Sequence, residues 1–111
     1  MKLRVLVVWE PILPTDFTSP SSSSLGRIPD QRAIQFWDPN HLVAQDLNRR
    51  ASAKPPQTKP DCCLSRGFYW DDVILYSPHA LWHDDPSPAF LDGPVVHVIP
   101  ALESALRDIK P

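Results

Sequence analysis

The stretch Met1-Lys2-Leu3-Arg4-Val5-Leu6-Val7-Val8-Trp9-Glu10-Pro11 decides the class of fold. Its apolar run from Val5 to Trp9 is dominated by valine, and it stops at Pro11. A charged start followed by apolar residues is also how a signal peptide begins. The run is too short for the roughly 7–15 residues of a hydrophobic signal core, and no small-residue cleavage site follows it. A buried strand accounts for it better, because unbroken Val and Leu runs suit a central strand covered on both faces. With no export signal read, the cytoplasm is the expected compartment, and two cysteines kept as thiols suit it.

Composition narrows the rest. The chain has 111 residues, which suits one domain of ordinary size. Proline is heavily used, with 14 residues, and glycine is scarce at 3, so the loops are stiffened by proline. Of the 13 acidic residues, 11 are aspartate, which favours caps and turns over helix interiors. A long coiled coil or an all-helical bundle is therefore not expected, and no apolar run approaches the roughly 20 residues of a membrane span. Net charge is −2, but it is unevenly spread. Residues 49–66 sum to +4, and residues 67–96 sum to −5 without a single Lys or Arg. The basic stretch meets no aromatic residue until Phe68, whereas single-strand nucleic-acid sites interleave bases with aromatics. No nucleic-acid partner and no membrane are expected; the partner is an unspecified protein or small molecule.

Outward from the first strand, residues 10–29 read as a long Pro/Ser-rich loop with Ser21 to Ser24 at its tip; loops of that length are usually functional. Asp30 can cap a short helix through Phe36, in which Ile34 and Trp37 share a face. Asp38-Pro39 is a strong start for a second helix, whose stripe Leu42, Val43 and Leu47 runs out near Arg50. Residues 51–66, with Pro55, Pro56 and Pro60, read as a surface linker. A strand follows at about Trp70 to Tyr76. Ala89–Leu91 and Val95–Ile99 flank Asp92-Gly93, a hairpin signal. Pro100 then opens a closing helix with Leu102, Ala105, Leu106 and Ile109 on one face. Val7, Leu75 and Val96 are expected to be buried together. The order is β-α-β-β-β-α, one small α/β domain over residues 1–111 with a mixed sheet.

The segment Pro88-Ala89-Phe90-Leu91-Asp92-Gly93, then Val95-Val96-His97-Val98 and the helix to Ile109, resembles the C-terminal half of a thioredoxin-like domain. Val5 to Trp9 resembles that family's central strand. Trp9-Glu10-Pro11, Arg27 to Arg32 and Gln35 to Asp38 look like small bacterial proteins of the same fold class. The resemblance implies that Pro88 matches the family's cis-proline ahead of a hairpin strand. The family's C-x-x-C motif is missing, because Glu10-Pro11-Ile12-Leu13-Pro14-Thr15 stands in its place. What the resemblance implies is a non-catalytic binding or accessory module.

Candidate site residues follow from chemistry. Glu10 and Asp16 come after the central strand, where ligands of open α/β sheets bind, and paired carboxylates there can do acid–base work. Trp9 and Pro88 are further candidates for ligand contact. Cys62-Cys63 can form a vicinal disulfide, bind a soft metal or remain ordinary thiols, and Lys59 and Arg66 favour a reactive thiolate. A thiol-dependent redox or soft-metal protein is therefore the alternative function. His79 and His83, four residues apart, can share a helix face and bind a metal beside Asp84 and Asp85. Pro78 and Pro86 leave little room for that helix, so a solvated turn is the simpler reading. His41 reads as a first-turn helix residue and His97 as a solvent-facing strand position. With neither a glycine-rich phosphate loop nor a serine elbow, no cofactor is expected.

Overall fold

The structure, a computed structural model, describes residues 2–13, 18–53, 64–65 and 68–109. They form a small mixed α/β arrangement that divides into two compact units, Met1–Val43 and Ala44–Pro111.

In the first unit, strand β1 (Val5–Trp9) pairs in parallel with β2 (Ala33–Trp37), Val5 opposite Ala33 and Trp9 opposite Trp37. The helix expected between Asp30 and Phe36 is not formed. Ile34 and Phe36 are exposed while Ala33, Gln35 and Trp37 are half-buried, a two-residue alternation that belongs to a strand. Asp30 spends its capping oxygen on a turn instead. Its Oδ1 accepts the Arg32 N–H at 2.8 Å, its carbonyl accepts the Ala33 N–H at 3.0 Å, and its carboxylate takes the Arg32 guanidinium at 2.6 Å. Asp favours such local turns over helix interiors. The Arg32 side chain holds the Asp30 carboxyl down at about 2.

Among the described residues of the long loop 10–29 is one helical turn, α1 (Ser22–Leu25), capped by the Ser21 hydroxyl, which accepts the Ser24 N–H at 3.2 Å. Gln35 fastens this turn to the sheet: its Nε2 donates to the Leu25 carbonyl at 3.0 Å, and its Oε1 accepts the Trp9 indole N–H at 2.8 Å. Asp38, just past β2, is buried. It starts α2 (Leu42–Ala53) by accepting the Leu42 and Val43 N–H groups at 2.9 and 2.8 Å. The helix thus begins three residues beyond Pro39, across a turn in which His41 is left-handed with φ 57°.

The second unit carries the core. Helix α2 runs on to Ala53 and Leu64–Ser65 form strand β3, so the described residues of the expected linker, 51–53 and 64–65, are regular structure. Strand β3 pairs antiparallel with β4 (Phe68–Tyr69). The strand expected over 70–76 is shorter, β5 (Val73–Leu75), and pairs antiparallel with β6 (Phe90–Asp92). Leu91 is completely buried against Tyr69, with Leu47 and Ile74 packed around them. Between β5 and β6 lies a 3-10 turn, Trp82–Asp84.

The expected hairpin is the main departure. Val95–Ile99 are not a strand but the opening of α3 (Val95–Asp108), so Pro100 sits inside that helix rather than at its start. Pro94, at φ −68°, stands at the N-cap and suits a helix start. The carbonyl of Asp71 accepts the Val95 N–H at 3.1 Å. The helical period places Val98 inward, buried, and leaves Val96 75% exposed. Val96 is therefore not a core residue, and Val7 and Leu75 are only half-buried. The one cis peptide bond among the described residues is Gly93–Pro94, so the Ser87–Pro88 bond is trans.

Gly93 serves a close approach: a Cβ there would run into Asp72 Oδ1 and lie 2.6 Å from the Asp71 carbonyl. Gly93→Ala should therefore cost about 1–3 kcal/mol, and Leu91→Ala about 2–5 kcal/mol. Urea unfolding of both variants checks this; a loss under 0.5 kcal/mol at either position contradicts the packing described.

Candidate functional site

Because β1 and β2 run parallel, their carboxyl ends lie side by side, and the residues that follow them meet. Asp38 donates its N–H to the Trp9 carbonyl at 2.8 Å, which continues the ladder past the strands. Glu10 follows Trp9, and the left-handed turn after Asp38 brings His41 back toward it. Glu10 Oε2 and His41 Nδ1 are 3.5 Å apart. Crevices at the carboxyl ends of parallel strands are where open α/β sheets bind ligands.

The pair is enclosed. The Glu10 side chain is only 10% exposed and that of His41 20%. Glu10 Oε1 is buried and meets no hydrogen-bond donor. At 3.5 Å the imidazole contact is at the outer limit of a hydrogen bond, so it offsets little of the cost of burying a carboxylate. Burial accordingly pushes the Glu10 carboxyl above its usual range. The hydrogen bond and charge of His41 pull the other way, and the negative charge of Asp38 adds to the rise. The site thus combines a poorly solvated carboxyl group with an imidazole held by strained backbone, since a non-glycine residue at positive φ costs roughly 1 kcal/mol or more.

Of the residues singled out in the sequence, Glu10 is in this site. Asp16, Cys62 and Cys63 lie outside the described residues. Trp9 is fastened to Gln35 through its indole N–H. Pro88 belongs to the second unit, in the segment between the 3-10 turn and β6. His79 and His83 do not share a helix face. His79 is left-handed at φ 66°, and His83 in the 3-10 turn lies 3.1 Å from Asp84 Oδ1. Among the described residues no group of three His, Cys, Asp or Glu side chains is placed to hold a metal ion.

His41 is what sequence reasoning missed. The signal was present in the alternation of residues 33–37. Read as a strand parallel to β1, it sends residues 38–41 to the same edge as Glu10. His97, expected as a solvent-facing strand position, is exposed but lies in α3. Among the described residues no helix is long and apolar enough to cross a membrane. Compared with known protein families, curated proteins and solved structures, the chain matches none.

A raised carboxyl pKa has a definite consequence for stability. The folded state holds the Glu10 proton more tightly than the unfolded chain, so the stabilisation is complete below the ordinary value of 4.5 and is lost as pH rises through the folded value. At neutral pH the ionised carboxylate is a burden on the fold. Glu10→Gln should therefore melt at a higher temperature than the wild type at pH 7, and the difference should close below pH 4.5. Melting curves over pH 3.5–7.5 test this; a variant less stable at pH 7 contradicts it.

Proposed function

We propose that the protein is a non-catalytic ligand-binding module whose recognition centre is Glu10, with His41 beside it, at the carboxyl ends of β1 and β2. One observation carries this reading: a buried carboxylate oxygen, Glu10 Oε1, lacks a hydrogen-bond donor. An acceptor left in that state costs on the order of 1–3 kcal/mol. Proteins keep such groups where function requires them. The chemistry it asks for is an N–H donor, best a cationic one, since a charge-assisted bond to a carboxylate is about twice as strong as a neutral one. An amine or amidine group on a small molecule fits that description.

Support for a thioredoxin-like architecture is limited to the opening parallel strand pair and the closing helix α3. The hairpin that suggested it is a strand followed by a helix. The binding reading rests on Glu10 and does not need that family.

Benzamidine, with a forked pair of N–H donors, is a suitable probe, and benzoate is its charge-reversed control. In two-dimensional NMR titrations, benzamidine should shift the amides of Glu10, Ile12, Asp38 and His41 saturably. Benzoate should not, and Glu10→Gln should abolish the effect. Equal shifts with benzoate, no saturable shift with benzamidine, or an unchanged response in the variant would each overturn the proposal.

A further inference from the structure

The two faces of the β1–β2 sheet are unlike, and the difference leads to Glu10. Side chains alternate between the faces along a strand. Val5, Val7 and Trp9 share one face with Ala33, Gln35 and Trp37, and all six are half-buried. The crossover between the strands lies on that side, because Gln35 holds both the Trp9 indole N–H and the Leu25 carbonyl. The other face carries Leu6 and Val8 of β1 in register with Ile34 and Phe36 of β2. Leu6 is 59%, Ile34 50% and Phe36 49% exposed. Glu10 and Asp38 are the next members of these two rows. The bond from the Asp38 N–H to the Trp9 carbonyl keeps the ladder in register that far.

We propose, on the reading of Glu10 as a binding centre, that this face is the floor for the ligand's tail and that the ligand is a small amphipathic amine. Its cationic N–H head meets Glu10, and its uncharged apolar tail lies over Phe36, Ile34 and Leu6.

The two ends of the apolar rows select that occupant. At one end stands a carboxylate nine-tenths buried, whose Oε1 meets no donor. It calls for a cationic N–H group and turns away an acid. Along the rows, a second ionic group would lose its water without gaining a partner. Beyond Leu6 the β1 row continues to Arg4, which is exposed and, among the described residues, in no ion pair. Arg32, at the same end of β2, is already paired with Asp30. Arg4 opposes a second cation, so a polyamine is disfavoured and a monocation with a hydrocarbon tail fits. Leu6 precedes Glu10 by four residues, about 13 Å at roughly 3.3 Å each, and an octyl tail covers most of that span. A second copy of the chain is a poorer fit. Four partly exposed side chains fall well short of the roughly 800 Å² per partner that a stable protein interface buries.

Octylamine is the probe, with propylamine and octanediamine as controls, in two-dimensional NMR titrations of the full chain at pH 7. Each methylene taken from water multiplies affinity by up to about fourfold, so octylamine should bind at least tenfold tighter than propylamine. Octylamine should shift the amides of Leu6, Ile34 and Phe36 together with those of Glu10 and His41; propylamine should shift only the last two. Octanediamine should bind more weakly than octylamine. Leu6→Thr and Phe36→Thr, substitutions suited to exposed strand positions, should each weaken octylamine binding at least threefold without lowering the melting temperature. Equal affinity of octylamine and propylamine at Glu10 would overturn the tail floor and leave Glu10 as a binding centre. No saturable shift at Glu10 with either amine would overturn both. Octanediamine binding as tightly as octylamine, or octylamine binding unchanged in both threonine variants, would also overturn the proposal. So would shifts of Leu6, Ile34 and Phe36 that persist in Glu10→Gln, or that arise on concentrating the protein alone, which would give the face to a second copy.

Discussion

The N-terminal unit depends on Asp38. Its N–H extends the parallel ladder onto the Trp9 carbonyl, and its two carboxylate oxygens take the first free N–H groups of α2. One buried residue thus ends a strand and starts a helix. In doing so it fixes the length of the turn between them. That turn, Pro39 to His41, is just long enough to return an imidazole to Glu10. An isolated buried carboxylate is expensive, but two backbone donors and the dipole of the helix start offset the cost. Glu10 has no backbone donors of this kind; only the imidazole of His41, 3.5 Å away, offsets part of its burial.

Much of this arrangement was legible in the chain. The valine strand β1 and the apolar centre of β5 were read from local patterns. Each follows from one residue type acting on its neighbours. Strand β1, however, is half-buried in a two-stranded sheet with Leu6 exposed rather than a covered central strand. Helix α2 starts at Leu42, across a turn from Asp38, rather than at Pro39. The two misread segments share a physical cause. In residues 30–36, the spacing of Ile34 and Trp37 fits a helix and the alternation of Ile34 with Phe36 fits a strand. The choice is made by β1, a partner 28 residues away. In 89–99, Asp92-Gly93 has the composition of a tight turn, but Gly93 is small because Asp71 and Asp72 press against it. Local sequence cannot distinguish a glycine needed for its backbone freedom from one needed for its missing side chain.

The candidate site was half legible for the same reason. Glu10 could be placed after the first strand without knowing anything of the second. His41 could be placed only once β2 was known to run parallel to β1. The stretch of His79 and His83 was legible as a turn, while the cation stacked on Trp82 within it, Arg50, comes from α2, 32 residues earlier.

The four left-handed residues described, His41, Asp71, His79 and Asp85, are all of types that titrate. Most proteins give such positions to glycine, and this chain, with 3 glycines, gives them to aspartate and histidine. Its corners are therefore also where it keeps ionisable groups, so shape and reactivity are encoded by the same few letters. A glycine placed at any one of them would preserve the bend and erase the ionisable group, which makes these positions natural points for dissecting geometry from chemistry.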